Sequence, residues 1–174
     1  MEHRTWKINI PVRPKAVQSA RGDRGHFHVD PKVRKWKDEI RPYIRADSPG
    51  RPSKMPIRAV ALRYYYRLPK TASKTIHRYV ESGGLVPYLA PVDITDNLSK
   101  GVIDVCKGIV FEDDSQIWHI AEVQKLYGLT DHIELEFEET PDVVLINGKT
   151  GDSLEQNNKV QGNGEAATGE TATS

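Results

Sequence analysis

The sequence predicts a single small α/β (α+β) domain, a mixed sheet packed against two main helices, with a disordered C-terminal tail. Three observations carry that prediction. Two segments place apolar residues at helical spacing, several others alternate apolar and polar residues as strands do, and the C-terminal segment holds almost nothing that a core requires. At 174 residues the chain has the length of one ordinary domain.

Thr5 to Ile10 alternates as a strand, with Trp6, Ile8 and Ile10 on one face and Lys7 and Asn9 on the other. Pro11 and Pro14 end it. The segment Arg13 to Gly25 carries Arg13, Lys15, Arg21 and Arg24 among small residues and reads as a mobile basic loop. His26-Phe27-His28 reads as a short strand; with no further ligands nearby, its two histidines are taken as exposed strand residues and not as a metal site. Asp30-Pro31 marks a helix start, with Asp30 as N-cap and Pro31 in the first turn. Val33, Trp36, Ile40 and Ile44 form its buried stripe, and Pro42 inside that pattern predicts a kink or an early end. Ile57 to Leu68 is the longest strand candidate, and its three tyrosines are assigned mostly to packing. Pro69 to Lys74 is a polar basic stretch, and His77 to Tyr88 contains a loop at Gly83-Gly84.

The second helix begins near Asp96, with Leu98, Val102, Val105, Cys106 and Ile109 on its inner side and Gly108 as the natural C-cap. Gln116 to Leu126 and Thr130 to Glu138 are expected to pair as a hairpin around Tyr127-Gly128-Leu129. In the second of these strands Ile133, Leu135 and Phe137 face inward, and His132, Glu134 and Glu136 face outward. From Asn147 onward Gly, Asn, Thr and Glu dominate, and such a segment cannot offset its own ordering entropy. The domain is therefore placed at residues 1–140, and 141–174 is expected to be a disordered low-complexity tail.

The near balance of 25 Lys and Arg against 24 Asp and Glu hides a gradient. Residues 1–91 hold 20 basic and 7 acidic side chains, a net of +13; residues 92–174 hold 5 and 17, a net of −12. A basic half of this size points to an anionic partner, and its interleaving with aromatics, as in Arg63-Tyr64-Tyr65-Tyr66-Arg67, favours nucleic acid over a merely solvated surface. The single cysteine, Cys106, excludes an intrachain disulfide and any Cys-based zinc cluster, and its place on the inner side of a helix makes it a small buried hydrophobe. No apolar run is long enough for a signal sequence or a membrane span, so the chain is expected to be cytoplasmic.

Two clusters of acids flank the second helix. Asp93 and Asp96 precede it, Glu112, Asp113 and Asp114 follow it, and Lys100 lies near its start. Carboxylates from separate elements suit Mg²⁺, and a lysine beside them suits a phosphate. Asp96, Lys100 and Asp104 are spaced by four and stack along one polar stripe.

The stretch from Val92 to Gly128 resembles the RusA family of Holliday junction resolvases. Asp96-Asn97-Leu98, Lys100, Asp104, Gly108 and Asp113-Asp114-Ser115-Gln116 match the family's pattern in type and approximate spacing. Upstream, Ile10-Pro11-Val12-Arg13-Pro14-Lys15 resembles the family's basic entry loop and Leu68 to Lys74 its segment after the long strand. The likeness spans residues 6–138. One departure is plain: the family separates its first two aspartates by one residue, whereas Ile94 and Thr95 both lie between Asp93 and Asp96. Either a bulge or widened turn brings Asp93 to the metal, or Thr95 stands in its place, or Asp93 merely precedes the helix cap.

The resemblance implies Mg²⁺ held by Asp93, Asp96 and Asp114, converging from either side of the helix, with Lys100 on the phosphate or the attacking water. Asp113 is expected in the outer shell or facing solvent, and Asp104 to orient Lys100 through an i,i+4 pair. Arg13, Lys15, Arg21, Lys70 and Lys74 are assigned to phosphates of branched DNA, a four-way junction above all. Symmetric cutting of such a junction implies a homodimer. Two other classes stay open: a catalytically decayed branched-DNA-binding protein of the same fold, and an interaction module whose oppositely charged halves attract between subunits.

Overall fold

The computed structural model describes residues 3–17, 21–23, 26–28 and 30–143. Among these residues the strands are β1 (Thr5–Ile10), β2 (Arg21–Asp23), β3 (His26–His28), β4 (Ile57–Arg67), β5 (Val86–Pro87), β6 (Ile117–Ile120), β7 (Val123–Gly128) and β8 (His132–Glu139). The α-helices are α1 (Pro31–Asp47), α2 (Lys74–Glu81) and α3 (Lys100–Cys106). A mixed sheet runs in the order β1-β8-β4-β7-β5, with β6 also paired to β4; β2 and β3 pair with each other. The architecture is α+β, as the alternation and the two apolar stripes predict. The residues expected to form the tail from 144 on lie outside the described residues.

The sheet is built around β4. Ile57, Ala59, Leu62, Tyr64 and Tyr66 are buried along it, with a register shift between Ala59 and Ala61 that keeps the apolar side chains on one face. One edge of β4 pairs antiparallel with β8, and the other pairs parallel with β6 and β7. This overturns the expected hairpin: β7 and β8 are consecutive in sequence, yet β4 lies between them. Eleven residues of buried backbone need partners on both edges, and insertion between the two later strands supplies them. The β7–β8 connection crosses the end of β4, where Leu68 N–H donates to the Gly128 carbonyl (2.9 Å) and Arg67 N–H to Asp131 Oδ1 (2.9 Å). Gly128 suits this crossing, because a Cβ there would stand 3.3 Å from the Tyr65 side chain and 3.2 Å from the Thr130 carbonyl oxygen.

Trp6, Ile8 and Ile10 of β1 alternate inward as expected and pack with Val33, Trp36, Ile40 and Ile44 of α1 and with Leu98, Val102, Val105 and Cys106 around α3. Asp30 caps α1, accepting from Lys32 N–H at 2.8 Å. Pro42 does not end that helix, which runs to Asp47. Pro42 and Asp38 both lie on the exposed side, so the carbonyl that loses its partner faces water. The segment read as a mobile loop up to Gly25 contains β2, because the backbone of β3 needs a partner strand. The helix α2, unforeseen in the sequence, starts at an Ser73 cap and buries none of its residues. Gly83 then turns the chain at φ 86°.

Tyr64 is fully buried and its hydroxyl donates to Ser99 Oγ (3.2 Å), which donates to the Ile94 carbonyl (2.7 Å). Burial pushes its phenol well above the ordinary tyrosine range. This relay ties the central strand to the turn that enters α3. Tyr64→Phe removes one buried hydrogen bond and is expected to cost about 1 kcal/mol in a urea melt, with no change in secondary structure by circular dichroism.

Candidate active site

The turn entering α3 is a π turn, Ile94–Ser99, with hydrogen bonds spanning five residues: Leu98 N–H to the Asp93 carbonyl (3.2 Å) and Lys100 N–H to the Thr95 carbonyl. Such a turn holds one residue more than an α-helical one, and it is the widened entrance that the spacing of Asp93 and Asp96 left open. Asp93 is its N-cap. Its Oδ1 accepts from Thr95 N–H (2.8 Å), Asp96 N–H (2.8 Å) and Thr95 Oγ1 (3.0 Å). The bonds from the Asp96 backbone and from Thr95 hold the Asp93 carboxyl below the usual aspartate range. All three converge on one oxygen, so Oδ2 takes part in none of them.

Lys100, Asp104 and Asp114 line one cleft of about 340 Å³ together with Thr95, Ser99, Ile103, Ile117, Ile120 and Val123. Lys100 and Asp104 come from α3 itself, and Asp114 from the turn that follows it. Asp93 and Asp96 are exposed and flank Thr95 on the same turn, outside the cleft lining. Among the described residues, no three His, Cys, Asp or Glu side chains group closely enough to hold a metal ion between them as they stand. The structure therefore brings Asp114 to Lys100 and Asp104, and does not close Asp93, Asp96 and Asp114 into one set. Asp104 is engaged by Lys37 Nζ of α1 at 2.8 Å, in place of the expected pairing with Lys100. Lys37 is the more sheltered cation, and an i,i+4 pair in water is worth only a few tenths of a kcal/mol, roughly.

Asp114 opens the 3₁₀ turn Asp114–Gln116, and Asp113 caps it, accepting from Ser115 N–H at 3.0 Å. Gln116 anchors this turn. Its Oε1 accepts from Asp113 N–H (2.7 Å), and its Nε2 donates to the carbonyls of Ser53 (3.0 Å) and Met55 (2.8 Å). Lys107, from the C-cap of α3, bridges Asp113 and Asp114, lying 3.4 Å from the latter. Its hydrogen bond to Asp113 is the main reason that carboxyl falls far below the usual range, and the same bond raises the Lys107 ammonium. The turn of Gly108, at φ 76°, brings Lys107 back beside Phe111 and so toward the two aspartates.

Sequence reasoning gave no role to three positioning residues. Lys107 and Gln116 hold the Asp114 turn. Lys125 donates to the carbonyls of Ala90 and Val92, both at 2.8 Å, and fixes the approach to Asp93. The capping-box spacing of Asp113 and Gln116 was a usable signal for one of them. Gln116→Ala strands two carbonyls and an N–H in a largely buried place. It is expected to cost roughly 1–3 kcal/mol of stability by thermal or urea melt, and to reduce any activity that needs Asp114 in place.

The basic residues are spread over several elements. The loop of Arg13 and Lys15 lies against the π turn, with Val17 N–H on the Asn97 carbonyl (3.0 Å) and the Val17 side chain so close to Gly101 that a Cβ there would clash. Arg13 sits 5.6 Å over the Tyr66 ring and 3.6 Å from Asp131, so its charge is partly committed within the fold. Arg21 opens β2; Lys70 is exposed in the turn after β4, and Lys74 is exposed at the start of α2.

The donor chemistry fits a hard divalent cation. Mg²⁺ is usually held by one or two carboxylates, with waters and substrate phosphates completing its shell, and Asp114 faces a cleft bordered by the turn that carries Asp93 and Asp96. No helix among the described residues is long and apolar enough to cross a membrane. No curated protein matches the chain. The family model for endodeoxyribonuclease RusA does match, over residues 9–138, from β1 through the acidic turns to β8. By that match, which takes in most of the chain and all of the cleft just described, the protein belongs to the RusA endodeoxyribonuclease family.

Proposed function

We propose that the chain is a Mg²⁺-dependent endonuclease that resolves Holliday junctions and related branched DNA by phosphodiester hydrolysis, as a homodimer, in cytoplasmic DNA recombination and repair. The observation that carries the reading is the meeting of Lys100, Asp104 and Asp114 in one cleft beside the Asp93-capped turn, in a chain of this family. Asp96 and Asp114, with Asp93 through its Oδ2, are the residues that would hold the ion. When bound, Mg²⁺ supplies a water acidic enough to ionise near neutral pH and positive charge against the phosphorane. Lys100 contacts the scissile phosphate and stabilises charge that grows in the transition state. Asp104, braced by Lys37, shapes the wall beside it, and Lys107 keeps the Asp114 turn in position. Lys15, Arg21, Lys70 and Lys74, with Arg13 in part, hold backbone phosphates and fix register without specifying bases.

A symmetric junction needs two cuts and so two sites. Ile76, Tyr79, Leu85 and Leu89 are exposed on and after α2, and they give the fold apolar surface to spare for a second copy. The decayed DNA-binding reading rests on the displaced Asp93, and a π turn that absorbs one extra residue weakens that ground. A cleavage assay on a synthetic four-way junction with Mg²⁺, beside Asp96→Asn, separates the two readings. Cutting by the parent chain alone supports the nuclease; binding without cutting by either supports decay.

A further inference from the structure

We propose that the apolar half of the active-site cleft is a pocket for an unstacked nucleobase beside the phosphate that is cut. The inference rests on the endonuclease reading and deepens it. The cleft lining is of two kinds: Lys100, Asp104 and Asp114 are charged, and Ile103, Ile117, Ile120 and Val123 are apolar. A nucleotide has the same division, an anionic phosphate joined to a flat, apolar-faced base.

The apolar wall is made by a β-bulge. Ile117 pairs with Ile57, His119 with Arg58 and Ile120 with Ala59, so Trp118 is an extra residue on β6 opposite no partner. In a regular strand residues three apart point to opposite faces. The bulge corrects this and turns Ile117 and Ile120 to the same face, the one on which Ile57 and Ala59 are buried. Ile120 nevertheless keeps 41% of its surface exposed, so the protein itself does not fill the space in front of it. Ile103 stands three residues after Lys100 on α3 and therefore on the same side of that helix, which joins the apolar wall to Lys100.

The charges decide what fits. An apolar peptide or a lipid tail would lie against Asp104 and Asp114 unmatched, and a free phosphate would leave the isoleucine wall uncovered. A nucleotide matches both kinds of lining, with its phosphate toward Lys100. A base inside a continuous duplex cannot reach such a wall. At a branch point stacking is already interrupted, so the base is turned out at less cost, and aliphatic side chains can hold it by its faces.

The test uses four-way junctions carrying one 2-aminopurine at each position flanking the cut, bound by the full chain with Ca²⁺ in place of Mg²⁺. The fluorescence of 2-aminopurine rises when it leaves the base stack. The expected result is a several-fold rise at one flanking position. Ile120→Ser and Val123→Ala should each abolish most of it and slow cleavage by about tenfold, in the range of losing one stacked base. Leu129→Ser, an exposed apolar residue outside the cleft, should change neither. A junction that is bound and cut with no position-specific rise overturns the pocket and leaves the endonuclease standing. Failure to bind or cut any junction overturns that reading and the pocket with it. If Ile120→Ser instead shifts the free protein from dimer to monomer in sedimentation, the wall is a subunit contact and the pocket is refuted. Should Ile120→Ser not fold, Val123→Ala decides the same question.

Discussion

Asp96→Asn and Asp114→Asn are each expected to abolish junction cleavage while preserving binding, or strengthening it in the absence of metal. The reason is electrostatic. A group of carboxylates repels DNA unless a cation offsets it, and residues 92–174 carry a net of −12 against +13 in residues 1–91. Affinity must therefore come from the basic half, and its signature is salt dependence, with a slope of about −0.9 for each phosphate neutralised. Replacing Arg13, Lys15, Lys70 and Lys74 with Ala together should weaken binding and flatten that slope by roughly two to four units. Arg13 is expected to contribute least of the four, because Asp131 and the Tyr66 ring already engage its guanidinium. Titration of both sets against a labelled junction at several salt concentrations measures the difference. Aspartate variants that lost affinity as badly as the basic set would refute this division of labour.

What the sequence showed of this fold follows how local the physics is. The stripes of α1 and α3 and the alternation of β1 and β8 were legible because burial imposes its period on neighbouring residues. Strand partners are not local. Nothing within Gln116 to Glu138 says that β4, some fifty residues upstream by sequence count, will separate β7 from β8. The helix α2 carries only a short stripe, Ile76, Tyr79 and Val80, within eight residues, and its apolar side is buried against nothing among the described residues. The site divides in the same way. The residues of the acidic motif could be named from spacing, and so could the possibility of a widened turn. The π turn itself is bound to a distant part of the chain, through the Tyr64–Ser99–Ile94 relay that reaches in from the central strand. Asp104 was assigned to Lys100 by helical spacing, but Lys37, from a different helix, reaches it instead. Lys107 was passed over because its partners lie beyond a turn whose tightness only Gly108 reveals.

Lys100→Ala should slow cleavage by on the order of 10²-fold or more while leaving junction affinity nearly intact. Lys100 is exposed, opens α3, and shares its cleft with Asp104 and Asp114. Its backbone is fixed by the hydrogen bond from its N–H to the Thr95 carbonyl, so the π turn sets where the side chain starts. An ammonium beside two carboxylates contributes little to holding DNA in the ground state, since the net field there is not positive. It contributes most when negative charge builds on the phosphoryl oxygens, and that increment appears in the rate and not in the affinity. Single-turnover cleavage with saturating enzyme reads the rate, and titration of the same junction under non-cleaving conditions reads the binding. Lys100→Arg is a useful second variant, because it keeps the charge but replaces a compact ammonium with a broad planar fork, and should recover only part of the rate. An equal loss of rate and affinity in Lys100→Ala would make this lysine an anchor for the phosphate backbone, and would move transition-state stabilisation to the carboxylate-held cation alone.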